Sequence, residues 1–194
     1  MTHPHWYLPE KWAHRVRRAL GGEVDLDPCA ARPELDTIKA GVSYLLPHLD
    51  GLTLPWSGPF VGVRRPRVYC NPPYDRVGVR AFADKAIAEA PQCAALAVLV
   101  PLAPTSRWWR DLARAAELCV LLSQRINFID GSERSDDSTK PKPTTSRGDL
   151  CVFGWRLADP TAFHGVVVPR IMQGDHVLEK PQQTRLFAAA GAST

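Results

Sequence analysis

The sequence predicts an α/β fold: a Rossmann-like, doubly wound, mostly parallel sheet with an antiparallel hairpin at one edge. Three observations carry this. Short apolar runs alternate with stretches of helical period, the order expected of strand-helix-strand units. One run, "CAALAVLV", is apolar without alternation, as a parallel strand covered on both faces must be. Several strand-like segments then crowd together toward the end, which suits an antiparallel addition to such a sheet.

The elements follow in order. Pro9 to Leu20 reads as an amphipathic helix, with Trp12, Val16, Ala19 and Leu20 on one face and Gly21-Gly22 as its stop. "EVDLD" is a short strand. "RVYC" is a strand that ends at Asn71-Pro72-Pro73-Tyr74, because proline cannot donate to a sheet ladder. "GVRAFADKAIAEA" is a helix whose apolar face is Val79, Phe82, Ala83, Ala86, Ile87 and Ala90. "CAALAVLV" is the buried strand, and "TSRWWRDLARAAEL" a third helix capped by Thr105 or Ser106. "CVLL", "RINFI", "LCVFGW" and "FHGVVV" complete the strands. Between two of them lies a long polar stretch, residues 130–149; loops of that length in compact domains tend to be functional or disordered. Residues 1–175 are expected to form a single domain, and 176–194 a tail of little pattern.

The 194 residues suffice for one domain with a proper core, and 45% hydrophobic with 23% charged residues is ordinary for a soluble protein. A net charge of +4 gives mild attraction to polyanions, far short of a dedicated basic binder. Five scattered cysteines without a CxxC pair read as reduced thiols, mostly core residues, in a cytosolic protein. "MTHPHWYLPEKW" lacks a signal-peptide apolar stretch, and the longest apolar run is too short to span a bilayer. His3 and His5 have no partner cluster, so no metal is expected.

Chemistry is expected at Asn71 to Tyr74. In an open α/β sheet, ligands sit beyond the carboxyl ends of the strands, where these residues should project. Pro72 holds Asn71 extended. The Asn71 side-chain oxygen and the Pro72 carbonyl form an acceptor pair, with the flat face of Tyr74 beside it. A planar ring bearing an NH₂ group would donate to the pair and stack on the ring. A tight turn with a buried tyrosine is the plainer alternative.

Asn71-Pro72-Pro73-Tyr74 looks like the catalytic motif of amino-group methyltransferases that use S-adenosyl-L-methionine. Together with Trp6 and Pro9, "DLDPCA" at 25–30, "DGLTLPW" at 50–56 and "RINFIDG" at 125–131, it resembles the phage-type DNA N-6-adenine methyltransferase family, often described as Dam-like. The resemblance spans roughly Trp6 to Trp155. It implies transfer of a methyl group to adenine N6 in DNA, with the base flipped out of the duplex, by an enzyme encoded by a phage or prophage. It implies Asn71, Pro72, Pro73 and Tyr74 as catalytic residues and S-adenosyl-L-methionine as cofactor. Asp25 and Asp27 flank the end of the first strand, where a cationic cofactor calls for carboxylates, and Asp27-Pro28-Cys29-Ala30 looks like a variant of the family's acidic cofactor loop, although its glycines are missing. Asp27 also fits the ribose-binding acid at the end of the class's next strand, and the pair also fits a solvated loop or an Asx-turn before Pro28. Asp50 resembles the acid beside the cofactor adenine, and also fits a plain Asp-Gly turn. Trp6 and Pro9 lie where related enzymes close over the cofactor, and also fit an ordinary first-turn anchor for the helix.

Arg64, Arg65 and Arg67, together with Lys140, Lys142 and Arg147 of the polar loop, are candidates for DNA phosphate, against solvated loops as the default. Trp108 or Trp109 could face a base, and core packing serves as well. DNA is the expected partner, with no membrane and a monomeric enzyme. The acceptor clamp also suits cytosine N4, an RNA adenine or a protein glutamine amide. A non-enzymatic nucleic-acid-binding module is the remaining alternative. Shielding phage DNA from host nucleases and placing a regulatory mark would use the same chemistry.

Overall fold

The computed structural model describes residues 6–30, 36–45, 48–130, 143–145 and 148–170. Its elements are β1 (Trp6–Tyr7), α1 (Glu10–Leu20), β2 (Leu26–Asp27), β3 (Val42–Ser43), β4 (Arg67–Cys70), α2 (Gly78–Glu89), β5 (Ala95–Pro101), α3 (Arg107–Ala115), β6 (Leu118–Leu122), β7 (Asn127–Asp130), β8 (Pro143–Thr145), β9 (Leu150–Trp155) and β10 (Gly165–Pro169).

Seven strands make one sheet in the order β10-β6-β9-β5-β4-β2-β3. β3, β2, β4 and β5 run parallel. β9 is antiparallel to β5, β6 antiparallel to β9, and β10 antiparallel to β6. The fold class expected from the sequence is therefore the one found. The antiparallel part is larger than one hairpin, because β9 slots between β5 and β6.

Both faces of the sheet are covered, and the alternation of β5 decides which residue goes where. Leu96, Val98 and Val100 pack with Val79, Phe82, Ala83 and Ala86 of α2 and Leu112 of α3. Ala95, Ala97 and Leu99 pack on the other side with Trp12, Ala13, Val16 and Leu20 of α1. Each fully buried Leu, Val or Phe here contributes roughly 1.5–3 kcal/mol. α1 starts at Pro9, whose carbonyl accepts from the N–H groups of Trp12 and Ala13. It stops at Gly21, at φ 84°, a left-handed conformation that glycine adopts without penalty. Ser106 is the N-cap residue of α3, but its side chain makes no capping bond.

Two features place the site. From β2 the chain goes outward to β3 at the sheet edge, then returns to β4 on the other side of β2. The strand order thus reverses between β2 and β4, and crevices for ligands open at the carboxyl ends of such a pair. Secondly, β1, β7 and β8 form a small antiparallel sheet, with Tyr7 opposite Ile129 and Phe128 opposite Thr144. Part of the long polar stretch is therefore a strand. Lys140, Lys142 and Arg147 lie outside the described residues. Among the described residues, no helix is long and apolar enough to cross a membrane.

Candidate active site

Asp27 ends β2 and Asn71 follows directly on β4. Both residues line one cleft that opens to solvent. Tyr7, Leu8, Cys29, Asp36, Thr37, Ile38 and Tyr69 complete the described wall. The N-terminal segment is tied over it, since the Thr37 hydroxyl donates to the Leu8 carbonyl at 2.7 Å.

Asp27 is buried, at 7% exposure. Its Oδ1 accepts from the Cys29 N–H at 2.9 Å. Burial pushes its carboxyl up to about 7, the Cys29 N–H opposes this, and the nearby Asp36 charge adds to it. A buried carboxyl held near neutrality is stabilised as an anion by any cation that enters the cleft. Cys29 Sγ lies 3.4 Å from Cys70 Sγ, and burial raises the Cys29 thiol well above its usual range, so it stays protonated.

The loop carrying Asp27 is held from behind by the "DGLTLPW" segment. The buried Trp56 indole donates to the Gly51 carbonyl at 2.8 Å. Gly51 in turn sits against Pro28 so closely that a Cβ added there would lie 2.0 Å from the Pro28 carbonyl oxygen. Asp50 makes the turn: its Oδ1 accepts from the Leu52 N–H at 2.9 Å. In the described structure Asp50 thus shapes the loop behind the cleft and is not in its wall.

Pro72 is buried, and Asn71, Pro73 and Tyr74 are half-buried. The Tyr74 hydroxyl donates to Asn71 Oδ1 at 2.8 Å. Burial raises the Tyr74 hydroxyl well above its ordinary range, so it remains a donor. The Tyr74 ring meets Phe128 edge-on, with centroids 6.3 Å apart and planes at 80°. "RINFI" thus supplies the support for Tyr74. Tyr74 is not among the described cleft-lining residues. After it, Asp75 Oδ1 accepts from the N–H groups of Val77 and Gly78 and starts α2.

Several expected residues fall elsewhere. Asp25 lies before β2, not at its carboxyl end, and is engaged by Arg67: Oδ2 accepts from the Arg67 backbone N–H at 2.7 Å and from its Nε at 3.1 Å. Arg64 and Arg65 precede β4, at the end of the strand opposite Asn71, and Arg65 donates to the Cys93 carbonyl at 3.2 Å. Pro9 caps α1, while Trp6 contributes backbone pairing with Asp130. Trp108 and Trp109 pack on the α2 side of the core, and the Trp109 indole donates to Cys151 Sγ.

The sequence reading missed Tyr7, Asp36 and Tyr69 as cleft residues. Tyr69 had a signal: in a strand, residues two apart share a face, so Tyr69 had to point the same way as Asn71. Among the described residues no group of three or more His, Cys, Asp or Glu could hold a metal.

The chain matches the family model described as DNA N-6-adenine-methyltransferase (Dam) over residues 2–163. No curated protein and no solved structure matches it.

Proposed function

Because the chain belongs to the DNA N-6-adenine-methyltransferase (Dam) family, we propose that it methylates the N6 amino group of adenine in DNA, using S-adenosyl-L-methionine and taking the base out of the duplex. The observation that supports this most is that Asp27 and Asn71 line one cleft at the point where the strand order reverses.

The residues present fit the cofactor. Its ammonium and sulfonium call for anionic partners, and the cleft offers the buried Asp27 carboxyl and the Asp36 carboxylate. When bound, S-adenosyl-L-methionine supplies an activated methyl group on a positively charged sulfur. The chain's own part is to hold and polarise the acceptor. Adenine N6 is a poor nucleophile because its lone pair is delocalised into the ring. Asn71 Oδ1 and the Pro72 carbonyl accept from its two N–H bonds, which favours a pyramidal nitrogen and stabilises positive charge as it develops. An amide oxygen has two lone pairs, so Asn71 can keep the Tyr74 bond and still accept from the base. Pro72 and Pro73 leave no competing N–H at the clamp.

Lys140, Lys142 and Arg147 remain the proposed phosphate contacts. Arg64 and Arg65, at the far end of β4, are weaker candidates.

The experiment is direct. Unmethylated plasmid is incubated with the protein and S-adenosyl-L-methionine, digested to nucleosides and analysed by mass spectrometry. N6-methyl-2′-deoxyadenosine is the expected product. N4-methylated cytosine, or no modified nucleoside, overturns the proposal.

A further inference from the structure

Tyr69 is 2% exposed, yet its hydroxyl oxygen finds no hydrogen-bond partner among the described residues. A buried hydroxyl without a partner costs free energy, and native proteins tolerate few of them. The ring lies in the core under α1, flanked by Trp12, Val16 and Leu99. Tyr69 also forms part of the wall of the cleft that holds Asp27 and Asn71. It sits in β4, two residues before Asn71, which follows directly on that strand.

We infer that Tyr69 is a ligand-binding residue of this site, its hydroxyl donating to the α-carboxylate at the amino-acid end of S-adenosyl-L-methionine; this rests on the methyltransferase reading above. Burial, with Tyr74 and Asp27 nearby, raises the Tyr69 hydroxyl well above its ordinary range, so it acts as a donor and seeks an acceptor. Asp27, close by, is an acceptor suited to an ammonium group. A donor and an anion side by side match the two charged groups that an amino acid carries on one carbon.

The test is a thermodynamic cycle on binding. Isothermal titration measures S-adenosylhomocysteine and its decarboxylated analogue against the wild-type chain and Tyr69→Phe. A hydrogen bond to a charged group predicts that Tyr69→Phe weakens S-adenosylhomocysteine by roughly 10- to 100-fold. The decarboxylated analogue should bind both proteins equally. Without ligand, Tyr69→Phe should melt at or above the wild-type temperature, since the deleted hydroxyl bonded no protein group. Equal S-adenosylhomocysteine affinity for the two proteins, as for a hydroxyl satisfied by water alone, overturns the inference and leaves the methyltransferase reading standing. An equal loss for both ligands also overturns it, because the hydroxyl would then serve another part of the molecule. If the wild-type chain binds neither ligand, the methyltransferase reading falls first and the inference with it.

Discussion

The hydroxyl of Tyr74 donates to the side-chain oxygen of Asn71 across 2.8 Å. This bond fixes which end of the Asn71 amide faces the tyrosine. The Phe128 ring, edge-on to Tyr74, holds the donor in place. Asn71 is thus oriented before any substrate arrives, which lowers the cost of reaching the reactive geometry.

Tyr74→Phe keeps the ring and removes that bond. A neutral hydrogen bond is worth about 0.5–1.5 kcal/mol, so the single-turnover rate should fall roughly 3- to 10-fold with DNA affinity unchanged. Tyr74→Ala should lose a further ~1–3 kcal/mol of base stacking, read as weaker DNA binding. Equal DNA affinity in the two variants would deny the ring any part in holding the base.

Asp27 titrates near pH 7 in the fold against an ordinary 3.8. The folded state therefore holds its proton more tightly than the unfolded one. The stability this gives is fully present below about pH 4 and is lost as pH rises through about 7. Asp27→Asn removes the titration, so the variant should gain on the wild type between pH 5 and pH 8 in urea denaturation, by roughly 1–3 kcal/mol. Over the same range wild-type affinity for S-adenosylhomocysteine should rise as the carboxyl ionises, and the variant should lose that rise. Parallel stability curves would remove Asp27 from the account.

Gly51→Ala places a methyl group against the Pro28 carbonyl oxygen, a backbone atom that cannot turn aside. Overpacking of this kind costs about 1–3 kcal/mol. The Asp27 loop should shift, with lower melting temperature and weaker S-adenosylhomocysteine binding together. A variant with wild-type affinity would show that the "DGLTLPW" segment does not brace the cleft.

Asp25→Ala breaks the bonds to the Arg67 guanidinium and backbone N–H. It should cost about 1–3 kcal/mol of stability because a half-buried cation loses its partner. Ligand affinity at a temperature where the variant is folded should be unchanged. A large rise in the dissociation constant would return Asp25 to the cofactor site.

Much of this was legible in the sequence because the signals are local. The unbroken apolar run of β5 and the helical period of α1 each name their element. Asn71-Pro72-Pro73-Tyr74 names its own position, since two prolines must end a strand. What was not legible depends on distant pairing. β1 is two residues long and is a strand only because Tyr7 meets Ile129, far along the chain. "DLD" offers two equivalent acids; pairing with β4 decides that Asp25 meets Arg67 and Asp27 meets the cleft. Tyr69 reads as a core tyrosine until the cleft beside it is seen.

Asn71 is the proposed acceptor for the adenine amine. The direct measurement compares wild type and Asn71→Ala for formation of N6-methyl-2′-deoxyadenosine in DNA, with S-adenosylhomocysteine affinity measured on the same samples. Loss of one such electrostatic contact predicts a drop of roughly 10²- to 10³-fold in kcat, at near wild-type ligand affinity. Methylation by Asn71→Ala at the wild-type rate would contradict it.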